Sequence, residues 1–182
     1  MTAGPSAAAG EGIAELIKAL VRDVPDYPEP GVMFKDITPL LADPAALAAV
    51  VSALASGHEG VDKVAGIEAR GFILAAPAAI QLGAGFVPVR KQGKLPGATY
   101  AQSYDLEYGS ATIEVHQDAF APGERVLIVD DVLATGGTAA ATAELVRKAG
   151  AEVTGIAVIL ELSFLNGRSR LPDVPIRSLL VV

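Results

Sequence analysis

The segment Val126-Leu-Ile-Val-Asp-Asp-Val-Leu-Ala-Thr-Gly-Gly-Thr138 sets two acids, two hydroxyls and two glycines directly after an apolar run. Ligands of parallel sheets bind at the carboxyl ends of the strands, which is where these residues fall if Val126 to Val129 is a buried strand. Gly136 and Gly137 let the backbone approach a bound group closely. Thr135, Thr138 and the free N–H groups of a following helix start offer donors to a phosphate. Charge-assisted bonds of this kind contribute roughly 1.5–3 kcal/mol each. Asp130 and Asp131 would repel that phosphate, so they are expected to face ribose hydroxyls or a divalent cation. A ligand carrying phosphate, sugar and metal side by side satisfies the whole run. The plainer reading, in which Asp131 caps a helix and the glycines make a turn, accounts for an isolated Asp-Asp pair but not for the complete pattern.

Other chemistries are excluded by what the chain contains. There is no G-x-x-x-x-G-K-[ST] loop and no G-x-G-x-x-G after a strand, so neither an ATPase loop nor a dinucleotide fingerprint fits. With no Cys there is no thiolate nucleophile, thiolate metal site or disulfide, and the chain suits a reducing cytosol. No G-x-S-x-G elbow is present, and the two histidines, His58 and His116, fall on a helix-to-strand loop and an alternating strand, where solvated residues are expected. Lys and Arg number 14 against 21 Asp and Glu, and the net charge of −7 opposes a broadly basic face for nucleic acid or anionic lipid.

The elements that must position these residues follow from periodicity. Length and composition, 182 residues with 51% apolar, 19 Gly and 12 Pro, fit one soluble domain over 11–182 after a flexible start over 1–10. That start reads as no signal peptide, and Phe72 to Val89 is too interrupted by Pro, Gly and Gln81 to span a membrane. Ile13, Leu16, Ile17, Leu20, Val21 and Val24 predict a helix that Pro25 stops. Val32 to Ile37 reads as extended, and Asp43 followed by Pro44 opens a helix buried through Leu47, Val50, Val51 and Leu54. Strands at Lys63 to Ile67 and Phe86 to Arg90 flank a helix over Gly71 to Leu82. The polar stretch Lys91 to Gly109, leading into Ala111 to His116, reads as a flap or hairpin. After the Asp-Asp strand, a helix runs to Ala149 and two strands follow, Val153 to Leu162 and Ser178 to Val182. Such alternation predicts a parallel sheet with crossover helices.

Four stretches together resemble the type I phosphoribosyltransferases, in the wording of the branch that acts on adenine. They are Ala134-Thr-Gly-Gly-Thr138, Pro30-Gly-Val-Met-Phe-Lys-Asp-Ile37, Gly66-Ile-Glu-Ala-Arg-Gly-Phe72, and Arg90-Lys-Gln-Gly-Lys-Leu-Pro-Gly97 with Ser103-Tyr-Asp-Leu-Glu-Tyr-Gly109. The resemblance implies an α/β fold of the type I phosphoribosyltransferase kind: a mostly parallel central sheet, flanking helices, a small N-terminal hood around Val32 to Thr38 and a flexible flap. It implies the reaction of adenine with phosphoribosyl pyrophosphate (PRPP) to give AMP and pyrophosphate, with Mg2+ held mainly by PRPP and water. The anomeric carbon becomes oxocarbenium-like as pyrophosphate leaves, so a departing polyanion and a transient cation must both be stabilised.

By the same resemblance, Asp130 and Asp131 hold the ribose hydroxyls and Ala134, Thr135, Gly136, Gly137 and Thr138 bind the 5-phosphate. Arg70, Arg90, Lys91 and Lys94 serve the pyrophosphate, with a non-proline cis peptide near Glu68 and Ala69. Asp131 and Glu107 are the expected catalytic residues, Glu107 assisting the proton shift that makes N9 of adenine nucleophilic. Without the resemblance, an exposed Glu in a hairpin reads as merely solvated. Phe34 and Val132 resemble the two faces of the adenine slot, and the main chains of Met33 and Lys35 those that read its edge. The family more often has Arg at 35 and a smaller apolar residue at 33, a change of little weight if the contact is through backbone. Lys94-Leu95-Pro96-Gly97 reads as a hinge from which the flap closes and excludes water. A cytoplasmic homodimer is implied, with no nucleic-acid or membrane partner. The competing readings are a phosphoribosyltransferase for hypoxanthine, guanine, xanthine or orotate, and a non-catalytic PRPP-sensing regulator.

Overall fold

A computed structural model describes residues 5–105 and 110–182. Met1 to Gly4 and Glu107 lie outside the described residues. The chain divides into two compact units, Met1–Ala53 and Leu54–Val182, where the sequence reads as a single domain.

In the first unit, α1 spans Pro5–Leu20 and so takes in part of the start expected to be flexible; its Ala-rich run is a strong helix former. The expected helix does not reach Val24. After the last bond, from Val21 N–H to Ile17 O, the chain turns extended as β1 (Arg22–Pro25) and pairs antiparallel with β2 (Met33–Asp36). Val24 sits opposite Phe34, so a strand partner distant in sequence overrides the helical period. The connecting turn has Tyr27–Pro28 cis and Gly31 at φ 89, with Gly31 N–H donating to Asp26 Oδ1. A short helix α2 (Thr38–Ala42) follows, and Asp43 Oδ1 then accepts from the N–H groups of Ala45 and Ala46 to cap α3 (Pro44–Ala55) as expected.

The second unit holds a seven-stranded sheet in the order β5-β6-β4-β3-β7-β8-β9. Its strands are β3 (Lys63–Ile67), β4 (Gly85–Lys91), β5 (Thr99–Asp105), β6 (Ser110–His116), β7 (Arg125–Leu133), β8 (Glu152–Glu161) and β9 (Ile176–Val181). From β4 to β9 every pairing is parallel; the hairpin β5–β6 is antiparallel and attaches antiparallel to β4. Helix α4 (Arg70–Leu82) links β3 to β4, and α5 (Gly137–Lys148) links β7 to β8. Strand alternation sends them to opposite faces. Ala65, Ile67, Val126 and Ile128 cluster with Ala143, Leu145 and Val146 of α5, whereas Gly66 backs onto Ala75 of α4. A Cβ on Gly66 would lie 2.7 Å from that of Ala75, so only Gly lets α4 settle so close. The expected mostly parallel α/β architecture is present. No helix among the described residues is long and apolar enough to cross a membrane.

Candidate active site

Strands β3, β4 and β7 are adjacent and parallel, so their carboxyl ends open on one edge. Helix α4 starts at Arg70, after β3, and α5 at Gly137, after β7, and no side chain caps either start. No side chain competes for the first-turn N–H groups of either helix, although the Phe72 N–H of α4 already bonds Ala69 O, and both dipoles favour an anion. Gly136 makes the turn into α5 with φ 80, a left-handed conformation that side-chain-bearing residues resist. Asp130, Val132 and the whole of Ala134 to Thr138 line one cavity with Ile67 and Ile156. Its volume of about 70 Å³ suits a phosphoryl group or a few waters.

The two acids sit in unusual surroundings. Asp131 is 3% exposed, and its N–H donates to Asp130 Oδ1 at 2.9 Å. Arg70 Nε lies 2.8 Å from Asp131 Oδ2, yet that oxygen is fully buried and accepts no well-aligned hydrogen bond among the described residues. Burial and the neighbouring Asp131 carboxylate push the Asp130 carboxyl well above the usual range. Burial also raises Asp131, with the Arg70 guanidinium pulling the other way. Helix α4 bears directly on this pair, since a Cβ on Gly71 would lie 2.8 Å from Val129 O and 3.0 Å from Asp130 Oδ1.

The expected cations are collected by a residue that sequence reasoning named only as part of a backbone feature. Glu68 precedes Ala69 across a cis peptide bond, as expected, and Glu68 N–H donates to Val89 O of β4. Its carboxylate takes Arg90 Nε at 3.2 Å and the Lys91 N–H at 2.9 Å, while Arg90 Nη1 reaches Lys94 O at 3.0 Å. The Lys91 N–H and then the Arg90 guanidinium hold the Glu68 carboxyl below its usual range. Glu68 therefore joins the Arg70 loop to Arg90, Lys91 and Lys94; the available signal was an acid two residues before a cation in a cation-dependent site. Tyr104 of β5 is a second addition, its ring edge lying 3.2 Å from where a Gly137 Cβ would be.

Met33, Phe34 and Lys35 lie on β2 in the first unit. Met33 is exposed, Phe34 meets the Tyr27 ring edge-on at 5.1 Å, and Lys35 Nζ pairs with Asp23 Oδ1 at 2.7 Å across the β1–β2 ladder. The histidines are not simply solvated. His58 is partly buried against Gly155, and burial followed by Arg177 lowers its pKa; His116 Nε2 bonds Pro96 O at 2.8 Å.

Residues 35–175 match the phosphoribosyl transferase domain family. The chain is 66% identical to an adenine phosphoribosyltransferase of Acidothermus cellulolyticus over 172 residues, covering 93% of this chain and 97% of that one. Among solved structures, it is similar to adenine phosphoribosyltransferase from Rhodothermus marinus, with 54% identity, TM-score 0.90 and coverage of 94% and 99%. The enzyme of that name from Saccharomyces cerevisiae, crystallised with an imino-altritol bisphosphate and adenine, matches at 38% identity and TM-score 0.88, over 93% of this chain and 99% of that one.

Proposed function

The chain belongs to the phosphoribosyl transferase family, and from that premise we propose that it transfers the 5-phosphoribosyl group of PRPP to adenine, giving AMP and pyrophosphate in purine salvage. The relatives above act under that name, and the observation that carries the reading is the β7 end: a buried acid, Asp131, and a partly buried one, Asp130, beside an uncapped, glycine-turned helix start. Ala134 to Thr138 bind the 5-phosphate through backbone N–H groups and the Thr135 and Thr138 hydroxyls. Asp130, the more exposed of the pair, and Asp131 take the ribose hydroxyls in this reading. Arg70, at the start of α4, and the Arg90, Lys91, Lys94 group anchored by Glu68 receive the pyrophosphate. In this reading the cations Arg70, Arg90, Lys91 and Lys94 stabilise charge as it develops on the leaving group.

The Asp130 and Asp131 carboxylates are hard oxygen donors of the kind magnesium takes, while the described residues hold no group of three or more acids or histidines that could bind the ion by itself. When bound, Mg2+ neutralises part of the pyrophosphate charge. Most of its ligands come from PRPP and water in this reading. Glu107 acts on the imidazole side of adenine as the proton carrier, and Val132 packs against the base.

The enzyme works as a cytoplasmic homodimer in this reading. Its support is an apolar face on α4 and β4, where Ile73, Ile80 and Phe86 are exposed, Ile80 by 82%, and Phe72 meets Phe86 edge-on at 5.8 Å. Turnover of PRPP with adenine, hypoxanthine, guanine, xanthine and orotate in the presence of magnesium tests the reaction. AMP formation from adenine is expected as the fastest; preference for a 6-oxopurine or orotate overturns the base assignment, and no turnover with any base leaves only PRPP binding. Sedimentation of wild type and Ile80→Asp tests the dimer, the variant being expected as monomer.

A further inference from the structure

Two glycines far apart in sequence are pressed together beneath the phosphate loop. A Cβ on Gly167 would collide with Ala134 O and come within 3.0 Å of Gly136 N, and a Cβ on Gly136 would collide with Gly167 O. Residues 134–136 therefore rest on Gly167 by backbone alone, with no side chain between them to give way. Gly167 opens a single 3-10 turn, Gly167–Arg170, and is buried while the three residues after it are exposed.

An exposed 3-10 turn is a weak support unless something holds it, and here Arg168 does. Its Nε meets Glu161 Oε1 at 2.6 Å and its Nη2 meets Oε2 at 2.7 Å, a fork-to-fork pair. Nη1 donates to Ile176 O at 3.1 Å and Nη2 also to Ser178 Oγ at 3.2 Å, while the Ser178 hydroxyl donates to Glu161 Oε2. Glu161 is buried at the end of β8, in register with Leu133, the last β7 residue before the loop. The fork thus joins the ends of β8 and β9 to the turn on which the loop rests.

We propose that Arg168 and Glu161 are positioning residues for PRPP. Their bidentate pair fixes the Gly167 turn, and the turn fixes the height of the Ala134–Gly136 backbone. Neither side chain touches the substrate. Backbone N–H donors can be aimed only by placing the backbone itself, so a loop that reads phosphate this way depends on what lies under it. This inference rests on the phosphoribosyl-transfer reading above.

Steady-state kinetics on the full chain, with PRPP and adenine varied in turn, test it for wild type, Arg168→Met, Arg168→Lys and Ser178→Ala, alongside melting temperatures. Arg168→Met is expected to raise KM for PRPP by about tenfold or more, the usual scale for losing an outer partner of a binding group, with KM for adenine moved less than about twofold. Arg168→Lys restores charge without the planar fork and is expected to recover part of the loss. A folded Arg168→Met with unchanged KM for PRPP overturns the inference, as does a loss shared equally between the two substrates. If Arg168→Met fails to fold, Arg168→Lys and Ser178→Ala carry the same comparison, and an unmoved KM for PRPP in both overturns it. Wild type without adenine turnover overturns the functional reading and this inference with it; active wild type with unmoved variants overturns the inference alone.

Discussion

The carboxyl ends of β7 and β8 lie side by side in one sheet, Leu133 opposite Glu161, and carry acids in opposite conditions. At the β8 end, Glu161 has a partner for each oxygen, and Arg168 followed by Ser178 draws its pKa below the usual carboxylate range. At the β7 end, Asp130 and Asp131 crowd each other in a buried place, their pKa values are raised, and one oxygen of Asp131 lacks a well-aligned donor. Burial alone does not separate them, since Asp131 and Glu161 are exposed by only 3% and 7%. Partnering does. Glu161 is satisfied by a two-pronged arginine fork, whereas Asp131 Oδ2 meets Arg70 Nε without a well-aligned hydrogen bond.

The sharpest way to break this contrast is Asp131→Asn. It should lower kcat/KM by roughly 2–4 kcal/mol of transition-state stabilisation with little change in melting temperature, and steady-state rates with a parallel thermal melt decide. Unchanged kinetics would mean that Asp131 meets no ligand. Glu161→Gln should do the reverse to stability, costing about 1–2 kcal/mol in denaturant unfolding, because the released Arg168 is nearly half exposed and stays solvated. The sign with pH differs as well. A lowered folded pKa means that the stability from Glu161 is fully present above its unfolded value and is lost as pH falls through the folded one.

For Asp130 the folded pKa is raised, so stability declines as pH rises from the unfolded value through the folded one. Asp130→Asn should therefore melt about 2–4 °C above wild type at neutral pH, a gain that vanishes near pH 3 where both forms are neutral. A neutral-pH melt no higher than wild type would show that the Asp130 carboxylate is better accommodated than its surroundings suggest. Ser178→Ala is the mildest change, removing one donor to Glu161 for about 0.5–1.5 kcal/mol. Equal losses from Ser178→Ala and Glu161→Gln would mean that the arginine fork adds nothing to the β8 end.

Local signals carried much of this molecule. Apolar runs bounded by Gly and Asp marked β3, β4, β7 and β8 to within a few residues, and Asp43 with Pro44 announced a helix that is capped as expected. The glycine turn at Gly136 and the cis bond at Glu68–Ala69 were legible because four motifs coincide in order and spacing. What escaped depends on partners remote in sequence. Val24 fits the helical stripe of α1 and was claimed by β2 instead, and α2 is too short to show a period. Glu68 gains its meaning only from the Lys91 N–H and Arg90. Nothing around Gly167 and Arg168 announces that they lie against a turn formed some thirty residues earlier, since backbone touching backbone leaves no side-chain pattern to read.

The hairpin β5–β6 holds itself together along seven opposed residue pairs but meets the rest of the sheet along only two, Arg90 with Glu114 and Lys91 with Ile113. Elsewhere it is held through side chains, Tyr100 and Tyr104 packing against the core and Lys148 Nζ donating to Ala101 O. Both rungs fall on Arg90 and Lys91, the residues that the Glu68 carboxylate grips, so the hairpin and the loop that begins at the cis bond share one short stretch of backbone.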